Sequence, residues 1–249
     1  MRLLLTRARD QSLDLKKKLE NSGFQVELFP LIEIQKPSDE ARALQKSLHH
    51  IADYQWLILT SVSAVKAVAE FLPSPPEKLK IVVVGPKTAA LAQQLGWKIF
   101  SPEKSKGGEG LISFFEKQKV RGEKILYPRS SIGREELVVA LQKMGGSVDV
   151  VEAYQTVGAR KSGDDLKKVL QQGIDAVLFF SPSAVKQFTT LISADDFLLQ
   201  KVECIPFGET TAMALQENHL RADFVPSQSS EDILVSELKE FFKSTSKNL

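Results

Sequence analysis

The sequence predicts an α/β protein built from two similar lobes, each a parallel sheet flanked by helices. Three observations predict it. Short apolar runs alternate with amphipathic stretches of roughly ten to fifteen residues. Each run ends in a small, hydroxyl-bearing or proline residue before a helical pattern begins. The set of runs then recurs, in the same order, about 120 residues further along.

The runs cover residues 3–5, 56–59, 81–84, 125–127, 176–180 and 204–207. After Ser61 the apolar positions are Val65, Val68, Ala69 and Leu72, one face of a helix; after Ser181 they are Val185, Phe188 and Ile192. The recurrence is visible residue by residue. Leu3-Leu4-Leu5-Thr6-Arg7 resembles Ile125-Leu126-Tyr127-Pro128-Arg129, an offset of 122. Ser63-Ala64-Val65-Lys66 returns as Ser183-Ala184-Val185-Lys186, an offset of 120. Gly85-Pro86-Lys87-Thr88-Ala89 matches Gly208-Glu209-Thr210-Thr211-Ala212 at 123, and Ser101-Pro102 matches Val225-Pro226 at 124. Four matches in one order identify two copies of one unit. Residues 26–35 and 148–157, extended and rich in Val, Ile, Phe or Tyr, hold the same place in each copy. They are expected to be second strands that run on into interdomain linkers.

Composition narrows the function classes. The 249 residues are 43% apolar and 26% charged, and 33 Lys and Arg against 31 Asp and Glu give a net charge of +2. That balance argues against nucleic acid or a membrane surface as partner. Cys204 is the only cysteine, so no internal disulfide forms and a reducing compartment is expected. The opening residues show no signal-peptide pattern, and no apolar run approaches the roughly 20 residues of a membrane helix. A soluble cytoplasmic protein is expected.

Candidate binding residues follow from the architecture. Open parallel sheets bind ligands beyond the carboxyl ends of their strands, where the next helix offers unpaired N–H groups and a positive dipole end. The six junctions read Thr6-Arg7-Ala8-Arg9, Thr60-Ser61-Val62-Ser63, Gly85-Pro86-Lys87-Thr88, Pro128-Arg129-Ser130-Ser131, Ser181-Pro182-Ser183 and Gly208-Glu209-Thr210-Thr211. For any one of them, a simple helix cap explains Ser or Thr equally well. Taken together, with Arg7, Lys87 and Arg129 among them, they look like a distributed site for an elongated or large polyanion.

Familiar chemistries lack their residues. A phosphate-binding P-loop needs glycine directly before its lysine and another at the loop's start, where this chain has Pro86 and Ile81. Lys106-Gly107-Gly108-Glu109-Gly110 is out of place for a dinucleotide fingerprint. His49, His50 and His219 have no metal-ligand spacing and read as solvated helix residues, so no metal site is expected. No Gly-x-Ser-x-Gly elbow is present, and Lys16-Lys17-Lys18 reads as an exposed helix face.

A series of short motifs runs along nearly the entire chain: Leu5-Thr6-Arg7, Leu59-Thr60-Ser61, Val84-Gly85-Pro86-Lys87-Thr88-Ala89, Gly133-Arg134-Glu135-Glu136-Leu137 with Gly145-Gly146, Ala153-Tyr154-Gln155-Thr156, Phe180-Ser181-Pro182-Ser183-Ala184-Val185 and Gly208-Glu209-Thr210-Thr211-Ala212. In this order they resemble the uroporphyrinogen-III synthase family. The chain departs at Val62 and Ser63, where the family often has Pro and Asn, and at Glu209, where it often has Pro.

The resemblance implies flavodoxin-like lobes joined by two extended β linkers, with residues 1–34 and 158–249 in one lobe and 36–155 in the other, whereas the repeat alone suggests a cut near residue 122. It implies a monomer without a cofactor, acting on hydroxymethylbilane, whose four pyrroles carry eight carboxylates. It leaves room for a transient contact with hydroxymethylbilane synthase. The implied substrate contacts are Thr6, Arg7, Thr60, Ser61, Gly85, Lys87, Thr88, Arg129, Ser181, Ser183, Gly208, Thr210 and Thr211. Tyr154 is the implied proton donor, since a phenol stays protonated at neutral pH and can donate; read without the resemblance, it is a linker aromatic that packs a hinge. A non-enzymatic two-lobed module for an anionic ligand, or an interaction scaffold, would suit the same doubled architecture.

Overall fold

In the computed structural model, which describes residues 1–100, 108–131 and 135–245, the chain forms two compact units, Met1–Glu33 with Thr156–Leu249 and Ile34–Gln155. The chain opens with β1 (Arg2–Leu5), α1 (Arg9–Asn21), β2 (Gln25–Leu28), β3 (Ile32–Gln35) and α2 (Arg42–His49). Next come β4 (Trp56–Leu59), α3 (Val62–Phe71), β5 (Lys80–Val83), α4 (Pro86–Gln94), β6 (Ile99–Phe100) and α5 (Gly108–Glu116). The sequence continues with β7 (Lys124–Ser130), α6 (Glu136–Lys143), β8 (Ser147–Gly158), α7 (Gly163–Leu170) and β9 (Ala176–Phe179). It closes with α8 (Pro182–Leu191), β10 (Glu203–Pro206), α9 (Glu209–Glu217) and α10 (Glu231–Thr245).

Strand order explains how the two copies of the repeat are used. One sheet runs β10-β9-β1-β2, and the other β3-β8-β7-β4-β5-β6. β1 pairs in parallel with β9 and with β2, and β7 pairs in parallel with β4 and with β8. The order β2-β1-β9-β10 therefore repeats as β8-β7-β4-β5, and each sheet combines strands from both copies. β6 pairs with β5, while residues 222–226, its counterpart in the repeat, form no strand. The unit boundaries fall inside β3 and β8, the two linker strands.

The central strands are apolar throughout because both of their faces are covered. In β9, Val177 and Phe179 join Leu4, Cys204 and residues of α7, α8 and α9, whereas Ala176 and Leu178 join Leu3, Leu5 and residues of α1 and α10. In β4, Leu57 and Leu59 pack under α2, α3 and α4, and Trp56 and Ile58 pack under α5 and α6. Helix starts are fixed locally. Ser61 Oγ accepts the Ala64 N–H at 3.1 Å and Ser181 Oγ that of Ala184 at 3.2 Å. Ser162 and Asp165 form a reciprocal capping box on α7.

Two expectations change. Residues 26–35 do not form one continuous strand: β2 stops before Phe29-Pro30-Leu31 and β3 begins after it. Pro30 has no N–H to continue a ladder, although Phe29 and Leu31 still donate to the Leu5 and Thr6 carbonyls at 3.0 and 2.9 Å. Conversely, Pro128, Arg129 and Ser130 do not lie beyond the strand as a junction but form the end of β7. β7 pairs with β4 at Ile125 and Leu126 and not beyond, so a proline past them removes no bond on that side, while β8 continues alongside. Ser101-Pro102, Lys106-Gly107 and Gly133-Arg134 lie outside the described residues.

Candidate active site

In the unit formed by Met1–Glu33 and Thr156–Leu249, three junctions stand at the carboxyl ends of β1, β9 and β10. Thr6 is wholly buried, and its hydroxyl donates to the Leu178 carbonyl at 2.7 Å, so the side chain shapes the turn. Arg7 is held from two sides. Its Nε donates to Gln11 Oε1 at 2.9 Å and its Nη1 to Glu231 Oε1 at 3.2 Å. Its guanidinium carbon lies 5.6 Å from the centre of the Phe180 ring. Glu231 is buried in the first turn of α10, where the helix dipole favours a carboxylate. The Phe180 and Phe207 rings lie 5.2 Å apart.

Ser181 caps α8, and Ser183 is half-buried in its first turn. At the start of α9, Thr210 is exposed and Thr211 buried. Gly208 has extended backbone, and a Cβ there would push the Ser229 hydroxyl aside.

In the unit Ile34–Gln155, the junctions follow β4, β5 and β7. Ser61 caps α3 and leaves Thr60 half-buried, with its Oγ1 3.5 Å from the Tyr127 hydroxyl. Gly85 has φ 87°, a left-handed conformation that strains other residues, and Pro86 occupies the first turn of α4. Lys87 is exposed and Thr88 buried. Arg129 differs from Arg7. Its side chain is only 10% exposed, and its Nη2 pairs with Glu135, which is 67% exposed. Its Nε and Nη1 are buried without a hydrogen-bond partner. The Tyr127 ring centre is 5.8 Å from the Arg129 guanidinium carbon.

Tyr154 owes its position to a strand irregularity. Lys124 to Arg129 pair in step with Ser147 to Glu152, but Ser130 pairs with Tyr154, leaving Ala153 as the extra residue. In a regular strand Ala153 and Tyr154 would face opposite sides. Here both pack on the cluster that contains Leu59, Val83 and Leu126. The Tyr154 ring is half-buried, and its hydroxyl has no hydrogen-bond partner among the described residues.

Tyr127, which the sequence marks only as a strand residue, lies against both Thr60 and Arg129, with its hydroxyl near Thr60 and its ring under Arg129. Glu135 and Glu231, the acids that partner the two arginines, are likewise invisible without the fold. The lone thiol offers no alternative nucleophile, since burial first and the Asp223 carboxylate next push Cys204 up to about 12. Among the described residues no group of three or more His, Cys, Asp or Glu side chains could hold a metal ion, and no helix is long and apolar enough to cross a membrane.

Comparison with known proteins bears on this arrangement. A family model described as uroporphyrinogen-III synthase HemD matches residues 14–236. The chain is 30% identical to a uroporphyrinogen-III synthase of Synechococcus elongatus, over 98% of this chain and 96% of that one. It is 23% identical to a uroporphyrinogen-III synthase of Chlorobaculum parvum, over 90% of this chain and 92% of that one. Among solved structures, the fold matches the uroporphyrinogen-III synthetase of Helicobacter pylori with a TM-score of 0.66 at 19% identity, over 97% of this chain and 100% of that one. A Thermus thermophilus uroporphyrinogen III synthase matches with a TM-score of 0.63 at 19% identity, over 99% of both chains. With a family model spanning most of its length and a near-full-length relative at 30% identity, the chain belongs to the uroporphyrinogen-III synthase family.

Proposed function

We propose that this protein is a cyclising lyase that closes hydroxymethylbilane into uroporphyrinogen III with its last pyrrole inverted. Family membership over residues 14–236 carries the reading. The fold supports it: four helices of nine or ten residues, α3, α4, α8 and α9, begin at strand carboxyl ends and point unpaired N–H groups at whatever binds there. Such donors suit a substrate with carboxylates on every ring. In this reading Ser61, Gly85, Lys87, Thr88, Ser181, Ser183, Gly208, Thr210 and Thr211 shape or supply those contacts. Thr6 and Thr60 set the turns beside Arg7 and Arg129.

The reaction begins with loss of the terminal hydroxyl as water, driven by the lone pair of its pyrrole nitrogen, to leave an azafulvene. Tyr154 donates the proton that makes hydroxide a leaving group, a contribution typically worth about 10²–10⁴-fold. Its hydroxyl, without a hydrogen-bond partner among the described residues and on a half-buried ring, suits this role. The far ring attacks through its already substituted carbon to give a spiro intermediate. That intermediate fragments and recloses with the last ring reversed, and the proton released as the pyrrole regains aromaticity restores the phenol. Holding the chain in the attacking conformation supplies the remaining rate.

An isomer-resolved assay tests the proposal. Purified protein mixed with hydroxymethylbilane is expected to give the type III ring faster than the type I ring forms unaided. Type I product alone at saturating protein would overturn it, and substrate protected from cyclisation would identify a binding module.

A further inference from the structure

Arg129 is an unusual group to find inside a protein. Its side chain is nine-tenths buried, yet among the described residues only Nη2 is paired. A guanidinium presents a planar fork that a carboxylate fits with two parallel hydrogen bonds. Burying donors without partners is costly, so native proteins seldom leave them so. The partner Arg129 does have, Glu135, is the reverse: two-thirds exposed, just ahead of α6, and cheap to return to water. Around the fork stand the Tyr127 ring and, through the Tyr127 hydroxyl, Thr60. All of them lie at the carboxyl ends of β4 and β7, the edge of the sheet where ligands bind in this architecture.

We propose that Arg129 is an exchangeable carboxylate subsite, in which Glu135 occupies the guanidinium until an acetate or propionate arm of the substrate displaces it. This deepens the function proposed above and rests on it for the identity of the ligand, though not for its chemistry. Glu135 keeps the buried cation partly neutralised while the site is empty and swings to solvent when the substrate arrives. The exchange trades an exposed acid on one nitrogen for an incoming one that reaches the unused donors as well. Glu135 is thus a competitor of the substrate, and removing its charge strengthens binding.

The test uses the whole 249-residue chain and Glu135→Gln, a substitution at an exposed position that is expected to leave the fold intact. In the synthase assay this variant is expected to lower KM about two- to fivefold, the range that an exposed ion pair is worth, with kcat unchanged. In an Arg129→Lys background the same substitution is expected to have no effect on KM. A purely structural pair predicts the opposite, since loss of Glu135 would then raise KM or change nothing in either background. A second readout needs no turnover. Propionate, titrated into protein labelled at arginine, is expected to shift the Nε–H signal that disappears in Arg129→Lys, and at lower concentration in Glu135→Gln. A propionate shift without type III product would retain the subsite and remove the proposed function. Type III product with an unmoved Arg129 signal, or with a raised KM in Glu135→Gln, would overturn the subsite.

Discussion

Arg7 and Arg129 stand at the same place in the two copies of the repeat, and their surroundings have diverged. Arg7, a quarter exposed, is clamped to an acid that is only 7% exposed, whereas Arg129, a tenth exposed, is tied to an acid that is 67% exposed. A buried carboxylate cannot leave its partner without a large desolvation cost, and an exposed one can. One arginine has become part of its unit's framework, and the other has kept its donors available. The linker strands diverge in the same sense. At the offset of 122 residues that relates β1 to β7, Tyr154 corresponds to Ile32, a buried residue in the apolar core. The two copies of one scaffold thus differ at Arg129 on β7 and Tyr154 on β8, the positions to which the proposed function assigns its chemistry.

The comparison can be broken most severely at the level of chain path. A fragment of residues 36–155 keeps β4, β5, β6 and β7 with most of β8. Residues 1–122 separate β1 from β9 and β4 from β7. The first is expected to unfold in a cooperative thermal transition with dispersed amide signals. The second should expose apolar strand edges and aggregate. Reversed behaviour would mean that the copies fold as sequential domains.

At the next magnitude lies the linker pair. Tyr154→Phe is expected to slow formation of the type III ring by about 10²–10⁴-fold with the fold retained. Ile32→Val should cost only about 0.5–1.5 kcal/mol of stability and leave the rate alone. Equal rates for wild type and Tyr154→Phe would return the tyrosine to a packing role.

The two arginines separate in stability. Arg7→Met leaves Glu231 buried without that partner and is expected to cost about 1–3 kcal/mol. Glu135→Gln should stay within about 0.5 kcal/mol. Denaturant midpoints for both variants decide this, and matching losses would erase the distinction between framework and exchangeable pair.

The smallest effect concerns another equivalent pair, the first residues of β10 and β5. Lys80 is satisfied by Glu123 at 3.7 Å and by the Trp56 ring at 4.5 Å. Glu203 is not so well placed: burial first, then the neighbouring Asp223 carboxylate, hold its carboxyl above the ordinary value, against a weaker pull from Arg221. A carboxyl raised in the folded state contributes stability below its unfolded value that is lost as pH rises through the folded one. Glu203→Gln is therefore expected to add a few tenths of a kcal/mol at pH 7, after solvent screening, and nothing near pH 4. No gain at pH 7 would show that Glu203 ionises without strain.

Much of this was legible in the sequence because it is local. The apolar runs and the Ser61 and Ser181 caps each depend on a few adjacent residues. The full length of the strand that ends in Ser130 is not legible in the sequence, because Pro128 looks like a stop. Only the loss of the β4 neighbour beyond Leu126 makes proline harmless there. The Ala153 bulge leaves no trace in composition, since it is a property of two strands in register. Arg7 meets Glu231 across 224 residues of chain, a separation no spacing rule reaches. Arg129 meets Glu135 across six, outside the three- and four-residue intervals of a helix face.

The sheet order has a cost during synthesis. β1 lies between β2 and β9, so Leu3, Leu4 and Leu5, wholly buried in the finished protein, leave the ribosome long before Ala176. At about 5–20 residues per second, they wait roughly ten to thirty seconds for their second neighbour. For most of that interval the unit Ile34–Gln155 is itself unfinished, and it can complete itself only once Gln155 has emerged, while an apolar strand upstream of it remains half-paired and open to chaperones. Nascent chains halted near residue 160 should therefore bind a holdase through residues 1–33, and chains extended past β10 should release it.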